Sequence, residues 1–280
     1  MGNSVLSKKS LNELKIHFPQ KGGFQFFDET EFLYEEVQQY FKNGICVREG
    51  DTVFDVGANI GLFSIYLYQM CDRDVDIYAF EPIPNIFDAL SLNISQLETQ
   101  KIKIFPFGLS NASKIVNFAY HPNAPALSTM YPFDSKEYRT DIRNNVIENL
   151  EHAPRHIRRL LSLVPPWLRP FFIDRDLNQI FQVESVSCQL KKMSDIIREY
   201  DIQKINLLKV DVEKSEADVL LGIDDRDWPK IDRVVVEVHD ENDRLKKIQA
   251  LLTDRGFRRI FVRQDPFLKA AETFNLYAIR

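Results

Sequence analysis

VFDVGANIGLFS, residues 53–64, decides the fold. Val53, Phe54 and Val56 are strand formers around Asp55. Gly57 to Gly61 punctuate a turn, and Leu62 to Met70 reads as an apolar helix. A strand that runs through a glycine turn into a helix opens an α/β sheet whose ligands bind beyond the carboxyl ends of its strands. Gly57 permits a tight bend where a side chain would meet a ligand, and Gly61 lets the helix start close to the sheet. Asn59 offers polar groups at the bend.

The same alternation continues outward. Val75 to Phe80 reads as a second strand, ending at Glu81 and broken by Pro82. Ile86 to Ile94 is a helix and Ile102 to Pro106 a third strand. Lys114 to Tyr120 is extended, a short addition at the sheet edge. Ile205 to Val210 and Arg233 to Val238 are further strands, ending at Asp211 and His239. A helix over Ala217 to Gly222 separates them, and Ser194 is placed to cap another at Asp195 to Tyr200. Leu245, Ile248, Leu251 and Leu252 form the stripe of a helix that Gly256 ends. Arg258 to Val262 and Phe274 to Ile279 have no crossover helix between them, so they pair antiparallel. The expectation is a Rossmann-like α/β fold, mostly parallel, with a C-terminal antiparallel hairpin.

Two regions break the pattern. Residues 1–50 read as a cap before the domain at 51–280. Leu33, Val37, Tyr40 and Phe41 share a helical stripe there, and Phe24, Phe26 and Phe27 form a wall of the core or of a substrate mouth. Residues 121 to about 180 read as a helical insertion, too long for a plain connection. HPNAPALSTMYP is an ordered loop. Lys136 to Leu163 reads as one helix with Ile142, Val146, Ile147 and Leu150 on one face, stopped by Pro165, Pro166 and Pro170.

Composition narrows the class. Hydrophobic residues are 44% and charged residues 28%, ordinary for a globular chain, and the net charge of -5 gives no pull toward nucleic acid or anionic lipid. Cys46, Cys71 and Cys188 are scattered, as buried thiols in a reducing cytoplasm would be. No secretory signal or membrane-length apolar run is visible. The oligomeric state is not legible.

The turn also speaks to the ligand. A dinucleotide site expects a second glycine at the position of Asn59, where the bend admits a pyrophosphate. S-adenosylmethionine (SAM) has no phosphate but carries a cationic amino acid end, for which Asp55 is a candidate anchor, directly or through water. Glu81 stands where Rossmann-like enzymes place a carboxylate for the ribose hydroxyls. Pro82 holds the chain extended there. Phe107, Gly108 and Leu109 are candidates for the adenine slot. Both SAM and NAD contain a ribose, so an NAD-linked oxidoreductase stays as a rival.

Transfer of an activated methyl group needs alignment, exclusion of water and, for a hydroxyl acceptor, a base. Lys209, Asp211 and Glu213 in LLKVDVEKSE, and Glu237, His239 and Asp240 in VVEVHDEN, end two strands that should be neighbours. His239 is the candidate proton acceptor, oriented by Asp211 or Glu213. Lys209 and Glu237 are read as pairing with each other. Asp211, Glu213 and His239 also match a facial metal set, so a divalent cation stays an open alternative that is not predicted. His121 lies in a loop that could approach the pocket; His17, His152 and His156 have no ligand spacing. Arg155, Arg158, Arg159 and Arg169 are a solvated face or a docking patch.

Taken together, VFDVGANIGLFS, IYAFEPIPNIFDAL (77–90), FPFGLSN (105–111), INLLKVDVEKSEADVLLGI (205–223) and VVVEVHD (234–240) resemble the FkbM-type family of SAM-dependent methyltransferases. Many members read Asp-Val-Glu-Gly-x-Glu where this chain has Lys214 in the glycine position. The chain looks most like the tailoring domains of polyketide and nonribosomal peptide synthases. The resemblance implies O-methylation of a hydroxylated small-molecule or acyl-carrier-bound intermediate in natural product biosynthesis. It implies SAM contacts at Asp55, Gly57, Asn59, Gly61 and Glu81, to which the residue-level reading adds Pro82, Gly108, Leu109 and Asp211. Transfer to nitrogen, carbon or a sugar hydroxyl, or a non-catalytic carrier-docking module, are the alternatives.

Overall fold

The computed structural model describes residues 15–19, 37–131, 135–151, 155–264 and 272–280. Phe24, Phe26, Phe27, Leu33 and His152 lie outside them, as do the side chains of Ile142, Arg155 and His156. In chain order the elements are β1 (Thr52–Val56), α1 (Leu62–Met70), β2 (Asp76–Phe80), α2 (Pro84–Ser95), β3 (Ile102–Phe105), β4 (Gly108–Ser110) and β5 (Lys114–Tyr120). The insertion supplies α3 (Ser135–Glu148), α4 (Arg155–Ser162) and α5 (Arg169–Ile180). Then come β6 (Glu184–Lys192), α6 (Met193–Glu199), β7 (Leu207–Val210), α7 (Glu216–Leu221), β8 (Arg233–His239), α8 (Arg244–Asp254), β9 (Arg259–Arg263) and β10 (Thr273–Ile279).

The main sheet has seven strands in the order β3-β2-β1-β7-β8-β10-β9. The first five run parallel, and β10 pairs antiparallel with both β8 and β9. This is the Rossmann-like methyltransferase arrangement, and it places the ends of β1, β2, β7 and β8 along one edge. Buried on both faces, these strands read as continuous apolar runs. Successive residues serve opposite layers: Val53 joins the core with Ile65 and Leu90, while Phe54 and Val56 join Val210 and Val236 on the other face. Among the described residues no helix is long and apolar enough to cross a membrane. Burial, the first cause in each, pushes the thiols of Cys71 and Cys188 up to about 12, so both are inert packing groups.

Three expectations need correction. Lys114 to Tyr120 is not an edge addition to the main sheet. It pairs along its whole length with β6, which also pairs parallel with β4, making a separate three-stranded sheet. Gly222 at the end of α7 seats this sheet, since a Cβ there would lie 2.1 Å from the Ser110 carbonyl oxygen. Second, the helix at 136–163 is two helices, and the prolines after it start structure rather than end it. Pro166 opens a 3-10 turn and Pro170 opens α5, where a missing N–H costs nothing. Val146, Ile147 and Leu150 do share a face, packed on Leu161, Ile173, Leu177 and Phe181. Third, Ser194 is not a cap. It lies inside α6, where its Oγ accepts the Asp224 N–H at 2.7 Å and Lys192 holds the cap position.

Candidate active site

The pocket opens at the carboxyl ends of β1, β2 and β7 and encloses about 1020 Å³, counting its open mouth. Gly57, Asn59, Glu81, Pro82, Gly108, Leu109 and Asp211, all expected at the cofactor, line it, and so does Glu213. Gly57 has φ +79, and a Cβ there would lie 1.7 Å from the Asp211 carbonyl oxygen. The glycine therefore lets β1 turn against the end of β7, which no L-residue with a side chain permits. Asn59 also takes a left-handed conformation, at φ 49, and its N–H donates to Glu81 Oε2 at 3.1 Å. The Ile83 N–H donates to Glu81 Oε1 at 2.9 Å. Two backbone donors thus fix a buried carboxylate at the pocket wall, with lone pairs left for a ligand.

Two cofactor expectations shift. Gly61 faces α2 rather than the sheet: a Cβ there would lie 2.7 Å from Leu90 Cδ1. It brings α1 and α2 together and does not line the pocket. Asp55 is fully buried beneath the floor. Its Oδ2 accepts the Ser64 hydroxyl at 2.7 Å and its Oδ1 pairs with Lys209 Nζ at 3.1 Å. Lys209 Nζ also donates to the Gly57 carbonyl at 2.7 Å and lies 3.5 Å from Asp211 Oδ2. So Lys209 pairs with Asp55 and Asp211, not with Glu237, and Asp55 lies beneath the pocket without lining it. Asp211 faces the pocket in its place, and Tyr40 donates its hydroxyl to Asp211 Oδ2 at 3.0 Å.

Beyond Asp211 the chain enters a second left-handed bend, Glu213 at φ 45 and Lys214 at φ 73. Thr129 Oγ1 donates to the Glu213 carbonyl at 2.6 Å, and the Lys214 N–H donates to Glu216 Oε1 at 2.8 Å. The bend carries Glu213 to His239. His239 Nε2 lies 3.2 Å from Glu213 Oε2, and Nδ1 lies 3.0 Å from Glu216 Oε1. Glu216 is the residue the sequence reading missed. Its place at the start of α7, closing the acidic run DVEKSE that follows β7, was the available signal. The metal alternative changes too. Glu213, Glu237 and His239 bring ligand atoms within 4.8 Å of one another, whereas Asp211 is turned to Tyr40 and Lys209. His121 is buried with its ring edge-on to Phe181 and does not line the pocket. Arg158 and Arg169 reach backbone carbonyls within the insertion, so at least those two arginines tie its helices together.

A family model for the methyltransferase FkbM domain matches residues 55–259. The chain is 32% identical over 255 residues to the 31-O-demethyl-FK506 methyltransferase FkbM of Streptomyces tacrolimicus, covering 90% of each protein. The chain belongs to the FkbM methyltransferase family. It is also 33% identical over 262 residues to the AMB antimetabolite synthetase AmbE of Pseudomonas aeruginosa, a match that spans 90% of this chain and 12% of that protein. The crystal structure of a methyltransferase FkbM from Methylobacillus flagellatus shares the fold at a TM-score of 0.53 and 16% identity, over 89% of this chain and 50% of that one.

As an FkbM methyltransferase the protein is an enzyme that uses SAM, and the pocket suits it. Gly57, Glu81 and Asp211 line the pocket, which presents two carboxylates, Glu81 and Asp211, at the ends of β2 and β7. Burial pushes Glu81 up to about 7, against the two backbone donors and the Lys209 charge. At the far wall, burial pulls the His239 imidazole down, but the carboxylates of Glu213, Glu216 and Glu237 outweigh it and hold it up at about 10. Burial pushes Glu213 up to about 7, with Asp211 and Glu216 adding and His239 opposing. The surrounding carboxylates thus favour the charged imidazole at neutral pH, with Nδ1 hydrogen-bonded to Glu216 and Nε2 facing Glu213. A base must be neutral there, so the proton-acceptor role expected of His239 does not fit this geometry.

Proposed function

We propose that this methyltransferase methylates a hydroxyl of a small-molecule natural-product intermediate, free or held on an acyl carrier. The observation that carries the reading is the match, over 90% of both proteins, with an enzyme named as a 31-O-demethyl-FK506 methyltransferase. The acidic wall at Asp211, Glu213 and His239 supports it, because a hydroxyl acceptor must lose a proton and an amine need not.

In this reading Glu81 accepts hydrogen bonds from the ribose hydroxyls, with Asn59 and Ile83 holding its carboxylate in place. Pro82, Gly108 and Leu109 flank the adenine. A Cβ at Gly108 would lie 2.7 Å from Leu190 Cδ2, so the glycine lets β4 pack closely on β6 at this wall. Asp211 faces the cationic amino acid end, the role first assigned to Asp55. SAM supplies a methyl group already activated on sulfonium. The protein excludes water with Phe118, Ala126 and Met130 on the insertion side of the pocket and orients the acceptor hydroxyl. A carrier-held acceptor is supported by the relative in which the matching segment is a small part of a much longer synthetase.

Mass spectrometry of hydroxylated free and carrier-bound acceptors, incubated with SAM, tests the reading. A gain of one methyl on oxygen is expected. Methylation of the matching amine, with deoxy substrates still accepted, would refute the hydroxyl assignment.

A further inference from the structure

Among the described residues three carboxylates line the pocket, and two are already committed. Glu81 is held by two backbone N–H groups at the β2 side. Asp211 accepts the Tyr40 hydroxyl and faces the Lys209 ammonium. Glu213 differs. Its Oε2 is buried with no aligned hydrogen-bond donor, although His239 Nε2 stands 3.2 Å away. Its backbone is held in the left-handed region at φ 45, a conformation that costs a side-chain-bearing residue about 1–2 kcal/mol. Thr129, from the loop on the insertion side, and Glu216, from α7, clamp that bend. A costly backbone pinned from two elements to hold one carboxylate at the pocket wall is a mark of function.

We propose that Glu213 is the catalytic proton acceptor, and that His239 is a positioning residue that holds it from behind. The proposal rests on the hydroxyl-methylation reading. In the step, the acceptor oxygen bonds to the methyl carbon and gives its proton to the Glu213 carboxylate. The electron pair of the broken S–CH3 bond stays on sulfur. His239 is a poor proton acceptor here, because Nδ1 is hydrogen-bonded to Glu216 and Nε2 faces the Glu213 carboxylate at 3.2 Å as its counter-ion. It fixes the Glu213 carboxylate and keeps it ionised until the acceptor arrives.

The charged groups around Glu213 agree on this division. Asp211 and Lys214 flank it on its own loop, and Lys214 Nζ pairs with Glu241. Glu216 faces it from α7 and is met by Arg244 of α8 at 3.6 Å. Glu237 stands beside His239 on β8. His239 is thus the cation between Glu213 and two further carboxylates.

The test compares wild type, Glu213→Gln, Glu213→Asp and His239→Gln on one acceptor. Glu213→Gln is expected to lower kcat by about 100-fold or more while leaving the Kd for S-adenosylhomocysteine within about threefold. Glu213→Asp, which keeps a carboxylate, should recover part of the rate. His239→Gln should keep an acid limb in the pH–rate profile but move it up by about one pH unit or more, because Glu213 loses its neighbouring cation. Independently of turnover, imidazole nitrogen NMR of the S-adenosylhomocysteine complex should show His239 protonated across neutral pH, and less so in Glu213→Gln. The proposal is overturned if Glu213→Gln keeps the wild-type rate, or if His239→Gln loses the acid limb altogether. A rate abolished by chelator and restored by Mn2+ would also overturn it, by placing a cation between these side chains. Failure of the hydroxyl reading would show separately, as the wrong product from the wild type.

Discussion

Replacement of Glu81 by glutamine separates burial from hydrogen bonding at the β2 side of the pocket. The wild-type carboxyl is 5% exposed and is pushed from 4.5 to about 7, chiefly by burial. A carboxyl raised on folding binds its proton more tightly in the folded chain than in the unfolded one. Its stabilising contribution is therefore complete below about pH 4.5 and is lost as pH rises to about 7, by about 3 kcal/mol in all. Glutamine does not titrate. It does turn an amide NH2 toward the N–H of Asn59 or Ile83, which leaves one donor unpaired at a cost of about 1–3 kcal/mol that does not vary with pH. The level of the curve is thus offset by the lost acceptor, while its slope reports the buried charge alone. Urea unfolding of both proteins without ligand, in steps from about pH 4.5 to 8, isolates that slope, since every other titration cancels in the difference. Glu81→Gln should gain about 3 kcal/mol relative to wild type across this range and level off near neutrality. A difference that stays flat to within about 0.5 kcal/mol would refute the view that this carboxylate is ionised at the expense of stability to serve a ligand.

Other outcomes follow from neighbouring residues. Binding of S-adenosylhomocysteine should release a proton near pH 6, seen in calorimetry as a dependence on buffer ionisation heat, with affinity falling toward about tenfold per pH unit below the Glu81 midpoint near 7. Lys209→Met strands Asp55 and Asp211 without their cation and should cost about 3–5 kcal/mol in denaturant unfolding. Gly57→Ala puts a Cβ 1.7 Å from the Asp211 carbonyl, so it should destabilise by about 3 kcal/mol and abolish cofactor binding by calorimetry. Lys214→Gly should leave stability within about 1 kcal/mol of wild type. Relief of the left-handed backbone is offset by the lost ion pair to Glu241 and by glycine's greater unfolded freedom.

The parts of this protein that were legible in the sequence are those whose causes are local. β1, β2, β7 and β8 lie buried on both faces, so each shows as an apolar run, and the turn at Gly57 shows because only glycine meets its backbone demand. The three-stranded sheet was hidden because β6 pairs with a strand about seventy residues earlier, and nothing in either segment names its partner. The site divides along the same line. That Glu213 and His239 would meet followed from the adjacency of β7 and β8, whereas Asp211 turned instead to Tyr40 and Lys209. Which of them does what did not, because it depends on two cross-strand facts. In the register of β1 with β7, Asp55 stands opposite Lys209, so the turn's own carboxylate is neutralised by the next strand and cannot face the ligand. And the left-handed pair at Glu213 and Lys214 bends the chain so that Glu216 reaches the back of His239. A histidine beside one carboxylate reads as a base; ringed by Glu213, Glu216 and Glu237 it favours its charged form, which is why we propose Glu213 in front of it as the proton acceptor. The charge on this wall is therefore set by how many carboxylates surround the imidazole, two of them placed by the bend and the third by β8.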